Sequence, residues 1–304
     1  MGRIEVAAAT ADEWPMACRL ALGNAPAGAF DTRAARLLEL VRSGAFDSTG
    51  LLIALRDGVP VGAIAAQNLP GGTGVVLPPY GLTDAIRETL VAASTAHFRA
   101  AGAEIAHCLL APADASLATP LLAGGYRLIT QIQHRLRHGS TLPEFAIEPH
   151  PLLNFRPYSE VGEAAFAAIL ERTYVGTLDL PETTVDRPAA QQLEGYRQGQ
   201  PDPPHWHSVE GPDSRPIGVV MLSELPLPGV WEIGYLGLVS EARGRGWGRS
   251  LLRWAIAAAG RAGIREVGLS VDVRNEPAIR LYGDQFFRIY ELQDLYMLRL
   301  AGKN

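Results

Sequence analysis

The chain has 304 residues, 47% of them hydrophobic and 19% charged, and its formal net charge is −5. This length and apolar content can bury a sizeable core, which excludes global disorder. The acidic balance argues against nucleic acid or an anionic membrane as the main partner. No stretch approaches the roughly 20 apolar residues that a membrane helix needs. The two cysteines lack metal-ligand spacing and predict a reducing, cytoplasmic location.

Three segments recur in the same order in the two halves of the chain, which indicates a duplication. The matching pairs are 57–71 with 214–229, 99–115 with 260–276, and 124–138 with 285–300. Between the copies, residues 139–157 hold four prolines and little periodicity, which is typical of a linker. We therefore predict domains at 1–140 and 156–304, joined by a linker at 141–155.

Two features of the first copy favour structural roles. Residues 71–74, Gly-Gly-Thr-Gly, lie between two apolar segments and predict a hairpin turn rather than a phosphate site. Cys108 lies in an apolar strand, so we predict that it belongs to the core and is not a nucleophile.

The second copy predicts strands and helices in alternation. A short strand opens at Arg156, and a helix follows over 160–174. Residues 176–204 are rich in glycine and proline around a short helix near 191–198. The later elements are strands at 205–209, 216–222 and 231–239, a helix over 249–262, a strand at 267–271, a helix from 277 to 282 and a strand at 289–300. This order predicts an α/β fold of the α+β kind, a mixed sheet covered by helices.

A glycine-rich loop at 243–248, Arg-Gly-Arg-Gly-Trp-Gly, joins an apolar strand to an amphipathic helix. Its glycines permit positive φ and close backbone approach, and its N–H groups with the helix start favour a phosphate. A purely structural turn has the same composition. A Walker A loop is excluded because no lysine is present, and the dinucleotide fingerprint would need its third glycine at Arg249.

The loop and the segment after it resemble the GCN5-related N-acetyltransferase (GNAT) family over residues 154–300. The family signature is Arg or Gln, two residues, Gly, one residue, Gly or Ala. Arg243, Gly246 and Gly248 match it. A second block at 271–282, Val-Asp-Val-Arg-Asn-Glu-Pro-Ala-Ile-Arg-Leu-Tyr, follows at the family's distance. The resemblance implies two tandem GNAT-like acyl-CoA N-acyltransferase domains.

The first copy lacks the matching residues. The glycine loop aligns with 82–87, Leu-Thr-Asp-Ala-Ile-Arg, which has no glycine and places Asp84 where a phosphate would lie. Tyr282 aligns with Leu121 and Asn275 with Asp114. We therefore interpret the first copy as a degenerate domain with a structural role; the alternative is that it binds a different small molecule.

The resemblance implies that acetyl-CoA is the cofactor, with its pyrophosphate on the loop amides and its pantetheine arm beside the preceding strand. Asn275 would reach that arm, or would simply cap the helix that starts at Pro277. Arg243 and Arg245 either contact phosphate or are solvated charges. The predicted cofactor-binding residues are Leu236, Leu238, Val239, Arg243, Gly244, Arg245, Gly246, Trp247, Gly248, Arg249 and Asn275.

The resemblance further implies direct acetyl transfer to a primary amine in a ternary complex. Tyr282 would protonate the departing thiolate, or would only fill the core. Glu232 stands where family members carry a strand glutamate as general base; the alternative is a solvated carboxylate at a strand end. Alternation predicts that Glu232 shares a face with Gly234, Leu236 and Leu238. As an acid between apolar residues it is expected to have a raised pKa.

The loop after the first helix of the second copy is the expected acceptor site, or else an ordinary loop. Its candidate substrate contacts are Tyr174, Thr177, Asp179 and Glu182, and the two acids suit a cationic amine. The expected acceptor is a small-molecule or peptide amine. His205 and His207 share a strand face but lack a third ligand, so no metal is predicted. A monomer is expected, and a non-catalytic acyl-CoA sensor or scaffold is the alternative function.

Overall fold

The computed structural model of the chain describes residues 3–23, 27–138, 150–184, 187–197, 203–225 and 229–300. Most of the predicted linker, with Pro143 and Pro149, lies outside the described residues. The chain divides into two compact units, Met1–Thr130 with Gln293–Asn304 (unit 1) and Gln131–Leu292 (unit 2). Among the described residues, every helix is too short or too polar to cross a membrane.

The first half of the chain contains seven strands and four helices in the part that the structure describes. In chain order these are β1 (Ile4–Ala8), α1 (Trp14–Ala21), α2 (Ala27–Ser43), β2 (Leu51–Arg56), β3 (Val59–Leu69), β4 (Thr73–Val76), β5 (Tyr80–Gly81), α3 (Asp84–Ala100), β6 (Ile105–Leu110), α4 (Ala118–Ala123) and β7 (Arg127–His138). The predicted hairpin turn is confirmed, since β3 and β4 pair antiparallel on either side of it.

The second half contains six further strands and six helices within the described ranges. They are β8 (Asn154–Pro157), α5 (Tyr158–Val161), α6 (Glu163–Tyr174), α7 (Pro181–Thr184), α8 (Ala189–Arg197), β9 (Trp206–Glu210), β10 (Pro216–Glu224), β11 (Val230–Leu238), α9 (Trp247–Arg261), β12 (Glu266–Asp272), α10 (Glu276–Asp284) and β13 (Arg288–Arg299). The helix predicted over 160–174 is divided at Gly162, whose φ of 77° is not helical. The other predicted elements are present, with ends shifted by a few residues.

Unit 1 is a mixed sheet with helices on both faces. Its strands run β1-β2-β3-β4-β6, and β5 pairs with β3 beside β4. On one face α3 buries Leu90 and Phe98, and on the other α1 and α2 bury Cys18 and Val41. Cys108 is fully buried in the α3-side core, as predicted, and burial raises the pKa of its thiol to about 12.

Unit 2 repeats this architecture. Its strands run β7-β12-β11-β10-β9-β8, with the parallel pair β11 and β12 at the centre. One face packs against α9, where Leu251 and Leu252 are fully buried. The other face packs against α6 and α8, where Phe166 and Leu193 are fully buried. We call these the α9 face and the α6 face.

The two copies exchange their last strands. β7 ends the first copy in sequence, but its residues from Gln131 onward belong to unit 2, where His138 lies opposite Glu266 on β12. β13 ends the second copy, but its residues from Gln293 onward belong to unit 1, where Arg299 lies opposite Ile105 on β6. The two pairings are equivalent, because the alignment of the two copies matches His138 with Arg299 and Ile105 with Glu266. The compact units therefore differ from the predicted ranges 1–140 and 156–304 at the final strand of each.

The repeated Pro-Val/Ile-Gly motif has a steric reason in both units. A Cβ at Gly62 would lie 2.5 Å from the carbonyl oxygen of Tyr80. A Cβ at Gly218 would lie 2.4 Å from the carbonyl oxygen of Gly237. Each glycine therefore allows a neighbouring strand to approach more closely than any side chain would permit.

Candidate active site

A β-bulge at Gly234 sets the geometry of the central strand. Met221 on β10 pairs with Tyr235, but the next residue, Leu222, pairs with Ile233, so Gly234 is the extra residue. The bulge shifts the alternation by one position. Trp231 and Ile233 pack in the core of the α9 face, and so do Leu236 and Leu238 beyond the bulge.

The prediction that Glu232 shares a face with Leu236 and Leu238 is therefore wrong. Glu232 alternates with Trp231 and Ile233, which point to the α9 face, so its side chain points to the α6 face. Tyr235, on the other side of the bulge, packs in the core of that same α6 face. One inserted residue thus separates the predicted base from the apolar side chains that were expected to surround it.

The same bulge marks the point where two parallel strands separate. β11 and β12 pair only from Val230 with Glu266 to Ile233 with Leu269, although both strands continue further. Beyond the bulge β11 pairs with β10, and the N–H of Val239 donates to the carbonyl of Ile217 there. Because hydrogen-bonded pairs alternate along an antiparallel ladder, the backbone groups of Leu236 and Leu238 point to the opposite, open edge.

The glycine loop lies directly after this open edge. Gly244 and Gly246 have φ of 74° and 82°, and Gly246 is the N-cap of α9 without a side-chain cap. Among the described residues, nothing lies within 4 Å of a Cβ built at either glycine, so the loop backbone faces free space. The N–H groups in the first turn of a helix have no intrahelical acceptor. Free amides, a helix start and space for a ligand suit an anion such as a pyrophosphate.

Arg243 holds the loop in place through backbone contacts. Its Nε donates to the carbonyl oxygen of Leu238 at 3.0 Å, and its Nη1 and Nη2 donate to those of Gly176 and Thr173 at 3.0 and 2.7 Å. The side chain thus joins the loop to the end of α6 and occupies one carbonyl of the open edge. The predicted phosphate contact fits Arg245 better, because its side chain is exposed.

The remaining predicted loop residues pack or pair around this turn. Trp247 is half-buried and its ring meets His150 edge-on at 5.0 Å. A Cβ at Gly248 would lie 3.4 Å from the side chain of Leu281, so this glycine brings α9 close to α10. Arg249 forms an ion pair with Asp284 at 2.9 Å.

Asn275 caps α10, as one of its two interpretations predicted. Its side-chain oxygen accepts from the N–H of Ala278 at 3.4 Å, and Pro277 occupies the first turn. The cap ends the loop that follows β12, at the edge where β11 has separated from β12.

The predicted acid and base both lie in unit 2. Tyr282 is 7% exposed and packs against Phe287 at a ring distance of 6.0 Å. Burial raises the pKa of its phenol, the charge of Asp179 raises it further, and Arg135 opposes both. Glu232 is half-buried; burial raises the pKa of its carboxyl, and His134 opposes this shift. Tyr282 is therefore a proton donor at neutral pH, and Glu232 retains a proton more readily than an exposed glutamate.

The predicted acceptor loop is tied to the end of β12 by a charged network. Asp272 is fully buried; its N–H donates to Asp179 at 2.9 Å, and its carboxylate accepts from Arg274 at 2.6 Å. Arg274 also makes a bidentate pair with Glu182, at 2.7 and 2.8 Å. Thr177 accepts from the N–H of Asp179 at 3.1 Å. Because Glu182 already pairs with Arg274, Asp179 fits the predicted contact with an amine better than Glu182 does.

Asp179 lies in a tyrosine-rich environment on the α6 face. Burial raises the pKa of its carboxyl to about 6. Its charge in turn raises the pKa values of Tyr196, Tyr235 and Tyr282. The ring of Tyr174 meets that of Tyr235 at 5.7 Å and an angle of 88°. The structure therefore brings Asp179 and the tyrosines around it close to the predicted acid, while Glu232 lies on β11, the strand next to β12.

Sequence reasoning missed four residues of this region: His134, Arg135, Asp272 and Arg274. Arg135 is buried and donates to the carbonyl of Phe287. Asp272 and Arg274 lie within the block at 271–282, so their position could have been noticed. His134 and Arg135 come from the exchanged strand β7, and nothing in the local sequence links them to the second copy.

In unit 1, the N-terminus of α3 stands where unit 2 has its glycine loop, and side chains of the protein interact with it. Thr83 caps α3 by accepting from the N–H of Ile86, and Asp84 pairs with Arg87 at 2.7 Å. A side-chain cap and an acidic first turn leave this helix start poorly suited to an anion. These contacts agree with the degenerate first copy that the sequence suggested.

Comparisons with known proteins agree with this architecture. The sequence model of the Acetyltransferase (GNAT) family matches residues 165–286. Mycothiol acetyltransferase of Thermomonospora curvata is 29% identical over 255 residues, which cover 81% of this chain and 81% of that protein.

Solved structures resemble the whole chain. A GCN5-related N-acetyltransferase from Sphaerobacter thermophilus has a TM-score of 0.65 at 18% identity, over 98% of this chain and 96% of that one. A tandem GNAT protein from the clavulanic acid biosynthesis pathway has a TM-score of 0.56 at 16% identity, over 99% and 100%. These likenesses show that the chain has the GNAT fold in a tandem arrangement. The second copy, over residues 165–286, matches the GNAT family itself.

Proposed function

We propose that unit 2 transfers an acetyl group from acetyl-CoA directly to a primary amine in a ternary complex. One observation carries the proposal: an open strand edge beyond the Gly234 bulge leads into a loop of left-handed glycines at the start of α9. An extended arm and an anionic group joined to it would find complementary backbone groups in that order. The mycothiol acetyltransferase relative supports acetyl transfer as the reaction class.

The residues of this chain would hold the cofactor mainly through backbone groups. The amides from Gly244 to Gly248 would hold its pyrophosphate, and exposed Arg245 would add a charge. The N–H of Arg249 already donates to the carbonyl of Gly246 at 3.1 Å, so we assign it no phosphate contact. Backbone groups of Leu236 and Leu238 would hold its arm, with Asn275 beside it. The N–H of Val239 and the carbonyl of Leu238 are already engaged within the protein, so we assign them no cofactor contact.

Acetyl-CoA supplies an acetyl group already activated as a thioester. Glu232 would take a proton from the acceptor nitrogen, a role that its raised pKa suits. Tyr282 would hold the proton that the leaving sulfur needs, because burial keeps its phenol protonated at neutral pH. An N–H on the open edge of β11 would polarise the thioester carbonyl.

The acceptor would lie on the α6 face, near Asp179 and the tyrosines around it. A buried carboxylate among aromatic rings suits a cationic amine. We propose a small molecule or a peptide amine as the acceptor, and a monomer in the cytoplasm as the working form.

The test is release of free thiol from acetyl-CoA in the presence of a panel of primary amines. The wild-type protein should release thiol only when an acceptor amine is present, and Glu232→Gln should lower the rate and remove the acidic limb of the pH–rate profile. If the protein binds acetyl-CoA but acetylates no amine in a panel that includes small amines and peptides, the non-catalytic sensor replaces this proposal.

A further inference from the structure

His134 on the exchanged strand β7 lies on the same sheet face as Glu232. His134 is paired with Ser270 on β12. Two residues further along β7, Leu136 is paired with Gly268. Gly268 is in turn paired with Glu232 on β11. Side chains paired across a sheet share a face, so Glu232, Ser270 and His134 all point to the α6 face. Gly268 has no side chain, and Leu136 packs beside it, since a Cβ at Gly268 would lie 3.8 Å from the Cδ1 of Leu136.

The ring of His134 is held at the edge of this face. Its Nδ1 lies 2.9 Å from the Oγ of Ser270, and its ring centre lies 6.1 Å from that of Tyr290 on β13. Glu232 is half-buried, whereas Ser270 is exposed to solvent. Within the ranges that the structure describes, the titratable groups near His134 include Glu232 from β11 and Tyr290 from β13, with Glu291 next to the latter.

We propose that His134 is a positioning residue for the general base, and that it carries protons from Glu232 to solvent. This proposal rests on the proposed function of Glu232. A charge on His134 acts on Glu232 from the same face of the sheet. The ring of His134 contacts exposed Ser270 on β12, the strand between β7 and β11. In sequence His134 belongs to the first copy, so the exchanged strand gives the degenerate copy a part in the reaction of unit 2.

The proton balance of the reaction needs such an exit. An acceptor that arrives as an ammonium ion gives one proton to the Glu232 carboxylate, which passes it to the neutral ring of His134 and then to water. The nitrogen lone pair forms the C–N bond while the C–S bond breaks, and the proton of Tyr282 ends on sulfur. The second proton of the nitrogen replaces the one that Tyr282 gave. Each turnover therefore releases one proton to solvent, and the carboxyl of Glu232 must lose its proton before the next turnover begins.

The test compares His134→Gln with His138→Gln in the full-length protein. His138 is a matched control, since it lies on the same strand and face and pairs with Glu266 at the exposed end, away from Glu232. We expect His134→Gln to lower kcat about tenfold, with the KM for acetyl-CoA unchanged and partial rescue by added imidazole. His138→Gln should keep wild-type kinetics. Wild-type kcat and an unchanged pH–rate profile in His134→Gln would overturn the proposal, and so would a loss that imidazole does not restore.

A second measurement is independent of activity. NMR titration of the Glu232 carboxyl should show a higher pKa in His134→Gln than in the wild-type protein, because the variant removes a neighbouring group whose charge lowers that pKa. An identical titration in both proteins would contradict the pairing of these residues. If the pairing is present but the wild-type protein transfers no acetyl group, the proposed function fails while the electrostatic link remains.

Discussion

Tyr282 combines two properties that a proton donor in a water-poor site needs. Its ring packs in the apolar core of the α9 face, and the charges of Asp179 and Arg135 act on its phenol. Burial disfavours the phenolate and so keeps the phenol protonated at neutral pH, whereas the charge of Arg135 lowers the pKa and favours release of the proton.

Replacing Tyr282 with Phe removes that proton while keeping the ring that fills the core. We expect turnover to fall about tenfold or more, with the dissociation constant of acetyl-CoA changed little. Steady-state kinetics and calorimetric titration measure the two quantities separately. A variant with full turnover would exclude Tyr282 as the acid.

Asp179 gives a pH dependence of stability with a definite sign. Its pKa is raised to about 6 in the folded protein from 3.8, so between these values the native state binds more protons than the unfolded state. The stability contribution of this group is therefore lost as the pH rises from about 4 to 6. Asp179→Asn keeps an oxygen for the N–H of Asp272 but has no charge to bury.

We expect Asp179→Asn to gain about 1–2 kcal/mol relative to the wild-type protein between pH 4 and pH 7, after allowance for partial solvent screening. Urea unfolding at both pH values measures the change, and Asp213→Asn at an exposed ion pair is the control. A constant difference across this range would contradict the buried, raised carboxyl.

At the scale of elements, the pattern of the second copy predicts the strands and helices because their apolar periodicity is strong. The same periodicity fails at β11, where alternation is interrupted by one residue. A glycine in a strand indicates that a bulge can form, but not which partner residue it opposes. Since that bulge decides which face carries Glu232, the side of the sheet on which the proposed base lies could not be predicted from the sequence.

The close approach of β10 and β11 depends on Gly218. We expect Gly218→Ala to destabilise the protein by about 1–3 kcal/mol, because its Cβ would meet the backbone oxygen of Gly237 at 2.4 Å. Gly268→Ala on β12 is the control, since its nearest contact would be 3.8 Å away. Denaturant unfolding compares the two variants, and equal stabilities would mean that β10 can move away without cost.

At the scale of the whole molecule, the duplication is visible in the sequence but the exchange of last strands is not. β7 and β13 have similar apolar patterns, so either could pair with β6 or β12 by pattern alone. Pairing is decided by long-range contacts that no local signal carries. For the same reason the glycine loop, Asn275 and Tyr282 could be assigned to one site from sequence, whereas His134 could not.

The proposed function gives each chain one acetyl-CoA site, because the glycine loop is present in the second copy and its counterpart at residues 82–87 has no glycine. Calorimetric titration with acetyl-CoA measures this number directly. Gly246→Asp should abolish binding, because it places a negative side chain in the space where the pyrophosphate would lie. Gly263→Asp, also at positive φ and in open space but just past the far end of α9, should bind normally. We predict one site per chain; two sites, or unchanged affinity in Gly246→Asp, would contradict the account.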